Sequence, residues 1–258
     1  MQSPTALAVH GAAGRMGQAV LDACAERDDV RLVAALARLP DRAPARSGVV
    51  YTNELSSDAA PAVLVDFSTA AAFDRALALA RERRIAFVSG TTGLDAVQRS
   101  ALDAAAATIP VLWSANFSLG VALLMRLVAH AARALPDWDC EIAEAHHSRK
   151  RDAPSGTALA LGRAVAAARE LDFDAVARRS RSAAPAERVP GEIGFAVTRA
   201  ADIVGEHCVL FATAGERIEL VHRATDRALF ARGALAAARW IADRAAGRYT
   251  LADVLDSR

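Results

Sequence analysis

The first 116 residues of the chain alternate short β-rich segments with alanine-rich segments of helical composition. We predict five strands there, at residues 6–10, 31–37, 62–67, 85–89 and 111–114. Strands that alternate with helices form βαβ units, in which the strands lie parallel and the helices cover both faces of the sheet. The alternation therefore predicts an α/β fold with a Rossmann-like, doubly wound parallel sheet.

The pattern of the chain changes after residue 118. We predict a helix to about residue 135, a strand at 141–145, a helix at 155–171, a loop at 178–190, strands at 195–198, 208–212 and 217–222, and a helix at 229–244. The later strands suggest a second, mixed or antiparallel sheet. We therefore predict a dinucleotide-binding domain of residues 1–116 with 228–258, and an α+β domain of residues 117–227.

Charge and cysteine content narrow the classes of function. The 31 basic and 30 acidic residues nearly cancel, so no overall field recruits nucleic acid or an anionic membrane. The short basic runs at 81–84 and 148–151 lack interleaved aromatic residues, which predicts solvated surface. Three widely spaced cysteines indicate neither a disulfide framework nor a metal site.

Two stretches bear on where the protein works. Residues 1–10 lack a basic leader followed by an apolar segment, so no export signal is expected. The uncharged stretch at 104–125 is interrupted by Pro110, Asn116 and Gly120, which argues against a membrane span. We therefore expect a cytoplasmic protein.

A glycine-rich turn joins the first predicted strand to a helical segment. Residues 11–17 read Gly-Ala-Ala-Gly-Arg-Met-Gly, a variant of the dinucleotide-binding fingerprint. Backbone N–H groups and the helix dipole can hold a pyrophosphate at such a turn. The predicted cofactor contacts of this turn are Gly11, Ala12, Ala13, Gly14, Arg15 and Met16, and Gly17 is expected to serve helix packing.

The end of the second predicted strand bears on which dinucleotide binds. An acidic residue usually binds the adenine ribose diol there, but this strand ends in Ala37 and Arg38. Arg38 can pair with a 2′-phosphate, so we predict that NADPH is preferred over NADH. The alternative is that Arg38 is a solvated surface cation. Residues 41–57, which follow, are polar and predict a loop or short irregular connection.

Two more loops follow predicted strands at the edge where such sheets bind ligands. Residues 89–93 read Ser-Gly-Thr-Thr-Gly, and residues 114–118 read Ser-Ala-Asn-Phe-Ser. Their small side chains, hydroxyls and amides suit a nicotinamide ring. The predicted cofactor contacts in these loops are Gly90, Thr91, Thr92, Ser114, Ala115, Asn116 and Phe117.

Lys150 is the only lysine in the chain, against 30 arginines, and it follows two adjacent histidines, His146 and His147. An ε-ammonium can give up a proton near neutral pH when its surroundings lower its pKa, whereas a guanidinium cannot. Ser155 is a candidate N-cap of the next helix, which would leave the N–H groups of Gly156 and Thr157 to bind a carboxylate. The segment therefore combines candidates for proton transfer and for anion binding.

Five segments of the chain together resemble the 4-hydroxy-tetrahydrodipicolinate reductase (dihydrodipicolinate reductase) family of diaminopimelate and lysine biosynthesis. They are residues 11–17, 89–93, 115–118, 144–157 and 188–194. The resemblance runs nearly end to end. Residues 144–157 are highly specific to the family, whereas the glycine turn is shared by many dehydrogenases.

The resemblance implies an N-terminal dinucleotide-binding domain completed by the C-terminal helix, and a substrate domain whose sheet builds a homotetramer. It implies hydride transfer from NAD(P)H to a cyclic unsaturated dicarboxylate. His146 would be the acid/base residue and Lys150 the proton donor. His147, Gly156 and Thr157 would bind the substrate.

The chain departs from the family pattern after the second strand. The common acidic residue is absent, and the following connection is shortened. Two other functions remain compatible with the sequence: a nucleotide-sensing protein of this fold without turnover, and a reductase of another cyclic imine. The sensor would bind the cofactor without oxidising it, and the other reductase would act on simpler keto or imino acids.

Overall fold

The computed structural model describes residues 3–181 and 187–256. The chain divides into two units, and the first unit takes both ends of the chain. Unit 1 consists of Met1–Leu119 and Ala228–Arg258, and unit 2 consists of Gly120–Arg227.

The strands of the described residues form two sheets. In chain order they are β1 (Thr5–His10), β2 (Val30–Leu36), β3 (Tyr51–Thr52), β4 (Val63–Asp66), β5 (Ala86–Ser89), β6 (Pro110–Trp113), β7 (Asp139–His146), β8 (Ala177–Arg178), β9 (Ile193–Arg199), β10 (Gly205–Thr213), β11 (Glu216–Ala224) and β12 (Gly247–Tyr249). Unit 1 holds a seven-stranded sheet in the order β12-β6-β5-β4-β1-β2-β3. All of its pairings are parallel.

Unit 2 holds a five-stranded sheet in the order β11-β10-β7-β9-β8. β10 runs antiparallel to β7 and β11, whereas β7, β9 and β8 run parallel to one another. The second sheet is therefore mixed, which is one of the two forms that the sequence predicted.

The α-helices are α1 (Arg15–Ala25), α2 (Ala70–Arg83), α3 (Ala96–Ala106), α4 (Leu119–Ala134), α5 (Gly156–Ala168), α6 (Phe173–Val176), α7 (Ala228–Ile241) and α8 (Leu251–Asp256). Local capping explains some of these ends. Asp95 and Gln98 form a reciprocal capping box at the start of α3. α2 ends where Arg84 adopts a left-handed conformation with φ of 52°.

The core of unit 1 lies between the central strands and their covering helices. Every residue of β4 and β5 is buried, as expected for parallel strands covered on both faces. Phe73 of α2 packs edge-on against Phe87 of β5, with ring centroids 5.9 Å apart. Gly233 of α7 has no room for a side chain, because a Cβ atom there would overlap the carbonyl oxygen of Phe117. The C-terminal segment is thus packed closely into this unit.

The core of unit 2 lies between its sheet and helices α4 and α5. Alternate residues of β10 are buried, which places one face of the sheet against the helices. The cluster joins residues from both helices and three strands, among them Leu124, Val128, Ile142, Leu161, Val209 and Phe211. The opposite face of the sheet carries exposed residues, including Ala143 and Ala196.

Most predicted elements agree with the structure, and their differences are local. The five predicted strands of unit 1 are present with ends that differ by a residue or so. The prediction of an irregular connection at 41–57 was partly wrong, because Tyr51 and Thr52 pair with the end of β2 and form β3. A 3-10 helix at Pro40–Arg42 precedes it. The predicted loop at 178–190 begins in β8, and its residues 182–186 lie outside the described residues.

Within the described ranges, no helix has the length and apolar character needed to cross a membrane.

Candidate active site

The glycine turn after β1 is set by its own close packing. Gly11 has φ of +75°, and a Cβ atom there would lie 2.6 Å from the carbonyl oxygen of Phe67. A Cβ atom at Gly17 would overlap the carbonyl oxygen of Gly11. The first and third glycines are therefore required by the turn itself, since any side chain would displace backbone.

The second glycine, Gly14, occupies the N-cap position of α1 but has no side chain to bond to the first N–H groups of the helix. It is exposed and has no side-chain cap, and no acidic residue occupies the first turn of α1. Arg15 is exposed beside it, while Ala12 is fully buried beneath the turn. A helix N-terminus without its own capping group has unpaired N–H groups and a positive dipole end. These residues fit the pyrophosphate of a dinucleotide.

Beside this turn, the carboxylate of Asp66 organises the ends of three strands. Asp66 ends β4 and is fully buried, and its Oδ1 lies 2.9 Å from Nδ1 of His10. Its Oδ2 accepts hydrogen bonds from the hydroxyls of Ser89 at 2.8 Å and Thr91 at 2.7 Å. The backbone N–H of Ser68 also donates to Oδ1. One buried side chain thus fixes the loops that leave β1, β4 and β5.

Two opposing effects act on the pKa of Asp66. Burial raises this pKa, because it disfavours the charged form, but hydrogen bonds from His10, Ser68 and Thr91 stabilise the carboxylate. The net effect is a pKa below the usual value. The carboxylate is therefore ionised in the folded protein at neutral pH.

In the first predicted nicotinamide loop, at residues 89–93, some side chains are already hydrogen-bonded within the protein and others are exposed. The Thr91 side chain is buried and bonded to Asp66, so only its backbone remains for a ligand, whereas Thr92 is exposed. A side chain at Gly90 would overlap the ring of Phe67.

The second of these loops, after β6, holds itself together. The Ser114 hydroxyl donates to the carbonyl of Asn116 at 2.7 Å, and the Asn116 amide oxygen accepts from the N–H of Ser118. Ala115, between them, is exposed. Phe117 is buried edge-on against Phe67, with ring centroids 5.6 Å apart. Contacts from Phe117 to a ligand would therefore come from its backbone.

Arg38 is exposed at the end of β2, and it makes no ion pair within residues 3–181 and 187–256. Ala37 before it is buried and donates its N–H to the carbonyl of Thr52.

Gln18 of α1 connects β3 to the glycine turn. It donates to the carbonyl of Ala12 and to the hydroxyl of Tyr51, each at 2.7 Å. β3 is thereby tied to the glycine turn.

In unit 2, the buried carboxylate of Glu144 holds the segment that contains the two histidines. Its Oε2 lies 2.6 Å from Nδ1 of His146. Arg199 of β9 donates one guanidinium nitrogen to each carboxylate oxygen, both at 2.8 Å. The backbone N–H of Ser155 donates to Oε1 at 3.0 Å. A strand end, a neighbouring strand and the start of α5 thus meet at one side chain.

The pKa of Glu144 reflects the same contacts. Burial raises it, but the hydrogen bonds from Arg199, His146 and Ser155 outweigh burial and lower the pKa below its usual value. Glu144 is accordingly a carboxylate with every lone-pair direction engaged.

A second histidine supports the start of α5. Nε2 of His207 on β10 lies 3.1 Å from the hydroxyl oxygen of Ser155, which also accepts from the N–H of Ala158. The ring of His207 packs edge-on against that of His146, with centroids 5.3 Å apart. Burial, and then the neighbouring His146, lowers the pKa of His207 to about 4, so this ring is neutral at pH 7.

The ring of His146 presents its other nitrogen to a glycine. A Cβ atom at Gly205 would lie 3.0 Å from Nε2 of His146. Nε2 has no hydrogen-bond partner in the part of the chain that the structure describes. It is therefore available to exchange a proton with a ligand.

Lys150 is paired with a residue that the sequence analysis gave no role. Its Nζ lies 2.8 Å from both carboxylate oxygens of Asp152, and its backbone N–H donates to the carbonyl of His147. The carbonyl of Asp152 in turn accepts from Arg199 at 2.6 Å. The hydrogen bond from Lys150 lowers the pKa of Asp152. Because the Asp152 side chain is exposed, a ligand carboxylate could replace it at the ammonium.

The three residues predicted to bind substrate lie on the same segment. His147 has a buried Nδ1 without a hydrogen-bond partner among the described residues, and burial followed by Arg227 lowers its pKa. Gly156 begins α5, is exposed, and has open space where a Cβ atom would stand. Thr157 follows it and is partly buried. Chemically, the segment offers a base, an ammonium and a helix N-terminus.

No group of three or more His, Cys, Asp or Glu side chains in residues 3–181 and 187–256 is arranged to hold a metal ion.

The parallel seven-stranded sheet with a glycine-rich turn after β1, joined to a second unit with a mixed sheet, places the chain among the oxidoreductases with a Rossmann-like fold. Family models for the N-terminus and the C-terminus of dihydrodipicolinate reductase match residues 5–117 and 120–255. The chain belongs to the dihydrodipicolinate reductase family.

Individual relatives agree with this assignment. A protein of Stenotrophomonas maltophilia (strain K279a) named 4-hydroxy-tetrahydrodipicolinate reductase is 49% identical, over 98% of this chain and 99% of its own length. A protein of the same name from Xanthomonas campestris pv. campestris (strain B100) is 46% identical over 98% of each chain. The structure of a dipicolinate-bound dihydrodipicolinate reductase from Paenisporosarcina sp. TG-14 shares the fold, with a TM-score of 0.78 and 23% identity, over 96% of this chain and 97% of that one.

The sequence analysis missed the side chains that hold the site in place. Glu144 stands two residues before His146 on a strand, so the period of two already placed both on one face. Asp66 is a charged residue directly after the apolar run Val63–Val65, which is unusual for a buried strand. Nothing in the sequence marked Arg199 or His207, because their contacts depend on how β7 pairs with β9 and β10.

Proposed function

We propose that the chain catalyses the NAD(P)H-dependent reduction of 4-hydroxy-tetrahydrodipicolinate to tetrahydrodipicolinate, in diaminopimelate and lysine biosynthesis. The observation that carries the proposal is the arrangement at the start of α5, where Glu144 links His146 to the helix N-terminus. Lys150 lies on the loop between them. The near full-length identity to reductases of this name supports the same substrate.

The reduction adds a hydride to the ring and takes up a proton as the 4-hydroxyl group leaves as water. Bound NAD(P)H supplies the hydride. Lys150 is the proposed proton donor, because its ammonium carries exchangeable protons and its loop joins His146 to the start of α5. His146 is the proposed acid/base residue, acting through Nε2, since Nδ1 is engaged by Glu144.

The substrate carboxylates require fixed donors and cations. We assign them to His147 and to the N–H groups of Gly156 and Thr157 at the start of α5. The open space at Gly156 supports this assignment, because a carboxylate can approach the backbone there. His147 is assigned through the family resemblance, and its buried Nδ1 has no hydrogen-bond partner among the described residues.

The cofactor residues are assigned on unit 1. The turn residues Gly11 to Met16 would hold the pyrophosphate at the start of α1, where no side chain caps the helix. Gly90, Thr91, Thr92 and residues 114–117 would border the nicotinamide, with Thr91 and Phe117 contributing backbone only.

We further propose that NADPH is preferred over NADH. Arg38 is exposed and free of ion pairs in the described residues, and it stands at the end of β2, where the adenine ribose is expected. A guanidinium can bind a 2′-phosphate with two parallel hydrogen bonds.

Finally, we propose that unit 1 is the dinucleotide-binding domain and that unit 2 binds substrate and forms a homotetramer in the cytoplasm. The outer face of the unit 2 sheet supports assembly. Val221, Cys208, Ala143 and Ala196 are paired in one row across four strands, and Val221 is 41% exposed. Small and apolar residues on an open sheet face suit contact with a second copy.

The test is the initial rate of oxidation of NADPH and of NADH, with substrate made in situ from pyruvate and aspartate semialdehyde by a coupled synthase. Oxidation that depends on the synthase is the expected result. Cofactor binding without oxidation would contradict the proposal, and a ratio near one between the two rates would contradict the role of Arg38.

A further inference from the structure

The Glu144 carboxylate makes four hydrogen bonds to three parts of unit 2, and all four donors are within 3.0 Å. Its side chain is fully buried. A buried ion pair is often no more stabilising than apolar side chains of similar volume. The cluster therefore calls for a reason beyond the stability of the fold.

The distribution of the donors over the two oxygens is informative. Oε1 receives the backbone N–H of Ser155 and one nitrogen of Arg199, and both are obligatory donors. Oε2 receives the other nitrogen of Arg199 and faces Nδ1 of His146. An ionised carboxylate only accepts, so Nδ1 must carry a proton. In a neutral ring, the lone pair then lies on Nε2.

We propose that Glu144 is a positioning residue, which fixes the Nδ1–H tautomer and the orientation of the His146 ring. Through its bond to the N–H of Ser155, it also holds the start of α5 at a fixed position relative to that ring. This inference rests on the proposed function, because it concerns how the acid/base residue is prepared. Arg199 belongs to the same device, since its guanidinium keeps both oxygens of Glu144 in place.

The charges around Glu144 indicate that it acts on His146 mainly by orienting the ring, and less by placing negative charge beside it. Arg199 neutralises the carboxylate directly, and His207 from β10 faces His146 as a neutral ring. The Lys150–Asp152 pair on the following loop is neutral as a whole. Glu144 thus delivers little net negative charge to His146, while its geometry admits only one ring tautomer.

Glu144→Gln gives a specific expectation. The glutamine oxygen should take the place of Oε1, where two obligatory donors converge. Its NH2 group should then face Nδ1 of His146 and lose the single Arg199 bond that Oε2 accepts in the wild-type protein. Nδ1 then becomes an acceptor, and the proton moves to Nε2. The variant keeps the size of the side chain but reverses the tautomer.

The first experiment is nitrogen NMR of the ligand-free protein with labelled histidine, with His146 assigned by its loss in His146→Gln. Wild-type protein should show the Nδ1–H tautomer, and Glu144→Gln should show the Nε2–H tautomer. Glu192→Gln is the matched control, because Glu192 is also buried and paired with arginines in unit 2 but bonds to no histidine among the described residues. An unprotonated Nδ1 in the wild-type protein would overturn the proposal whether or not the chain is a reductase.

The second experiment is steady-state kinetics with the synthase-coupled substrate. Glu144→Gln should lower kcat by about 10- to 100-fold, the range expected when general acid–base catalysis is impaired. Glu144→Asp, which retains a carboxylate, should recover part of this loss, and Glu192→Gln should leave kcat unchanged. Equal losses for the glutamine variants at 144 and 192 would mean a merely structural role and would overturn the proposal.

Discussion

His10 and Asp66 occupy paired positions on β1 and β4, and Oδ1 of Asp66 lies 2.9 Å from Nδ1 of His10. The pair of Glu144 and His146 in unit 2 has the same form, at 2.6 Å. Each of these histidines is the last residue of its strand, and each carboxylate is buried. Both units therefore fix the strand end nearest their proposed ligand through a buried carboxylate and one ring nitrogen.

Asp66→Asn should destabilise unit 1. The change leaves an amide among donors that were arranged for a carboxylate, and the expected loss in unfolding free energy is about 3 kcal/mol, as for a broken buried pair. Urea unfolding at pH 7 measures it. Asp58→Asn is the control, because Asp58 is exposed, and it should change stability by less than about 0.5 kcal/mol.

Asp66→Asn also gives a prediction for how the unfolding free energy depends on pH in the acid range. The pKa of Asp66 is lowered on folding, so its contribution to stability is present above the unfolded pKa and is lost as pH falls through the folded one. The gap in unfolding free energy between wild type and Asp66→Asn should therefore narrow below about pH 4, near the unfolded pKa of aspartate. A gap that widens on acidification would contradict this assignment.

Lys150→Arg should lower turnover by about 10²-fold, because the variant keeps the positive charge but has no proton to release near neutral pH. Cofactor affinity, measured by fluorescence titration with NADPH, should stay the same, since Lys150 lies in unit 2. Lys150→Ala should lose at least as much turnover. Near-normal turnover in Lys150→Arg would exclude the proton-donor role.

Gly205→Ala should impair the reaction through His146. The added methyl group would stand 3.0 Å from Nε2, which is too close, so the ring must shift away from its position. We expect kcat to fall by about tenfold or more. The control is the same change in a His146→Gln background, where it should have little further effect if the two residues are coupled. Additive losses would show that the methyl group acts elsewhere.

Arg38→Ala should raise the KM for NADPH by about 10- to 100-fold and leave that for NADH nearly unchanged, as expected for the loss of a charge-assisted hydrogen bond to the 2′-phosphate. Initial rates with each cofactor measure this. Because Ala37 is buried, an acidic residue placed there would also disturb packing, so the single change is the cleaner test. Arg42→Ala, on the same connection, is the matched control.

Much of the fold was predictable because, in α/β chains, the local alternation of apolar strands with helical segments indicates the parallel sheet that they form. The apolar runs of β1, β4 and β5 stand between helical segments, so the parallel sheet followed directly. β3, β8 and β12 escaped prediction because two or three residues carry no readable period. β12 became a strand because Gly247 to Tyr249 pair with β6, which is a tertiary event.

The site divides in a similar way. His146, Lys150 and the glycine turn were recognisable because their spacing along the chain carries their chemistry. Arg199 and His207 were not, because 55 residues separate Arg199 from Glu144, and 52 separate His207 from Ser155. Their roles depend on the register in which β7 pairs with β9 and β10, and the residues around Arg199 and His207 do not indicate that register.

The pairing of β12 with β6 has a consequence for the order of events during translation. Residues 247–249 leave the ribosome after all of unit 2, whose residues 120–227 are contiguous. The middle of the chain can therefore finish folding while β6, paired only with β5, is still the edge strand of the unit 1 sheet. A nascent chain stalled after unit 2 would leave the outer edge of β6 open to pairing with another chain.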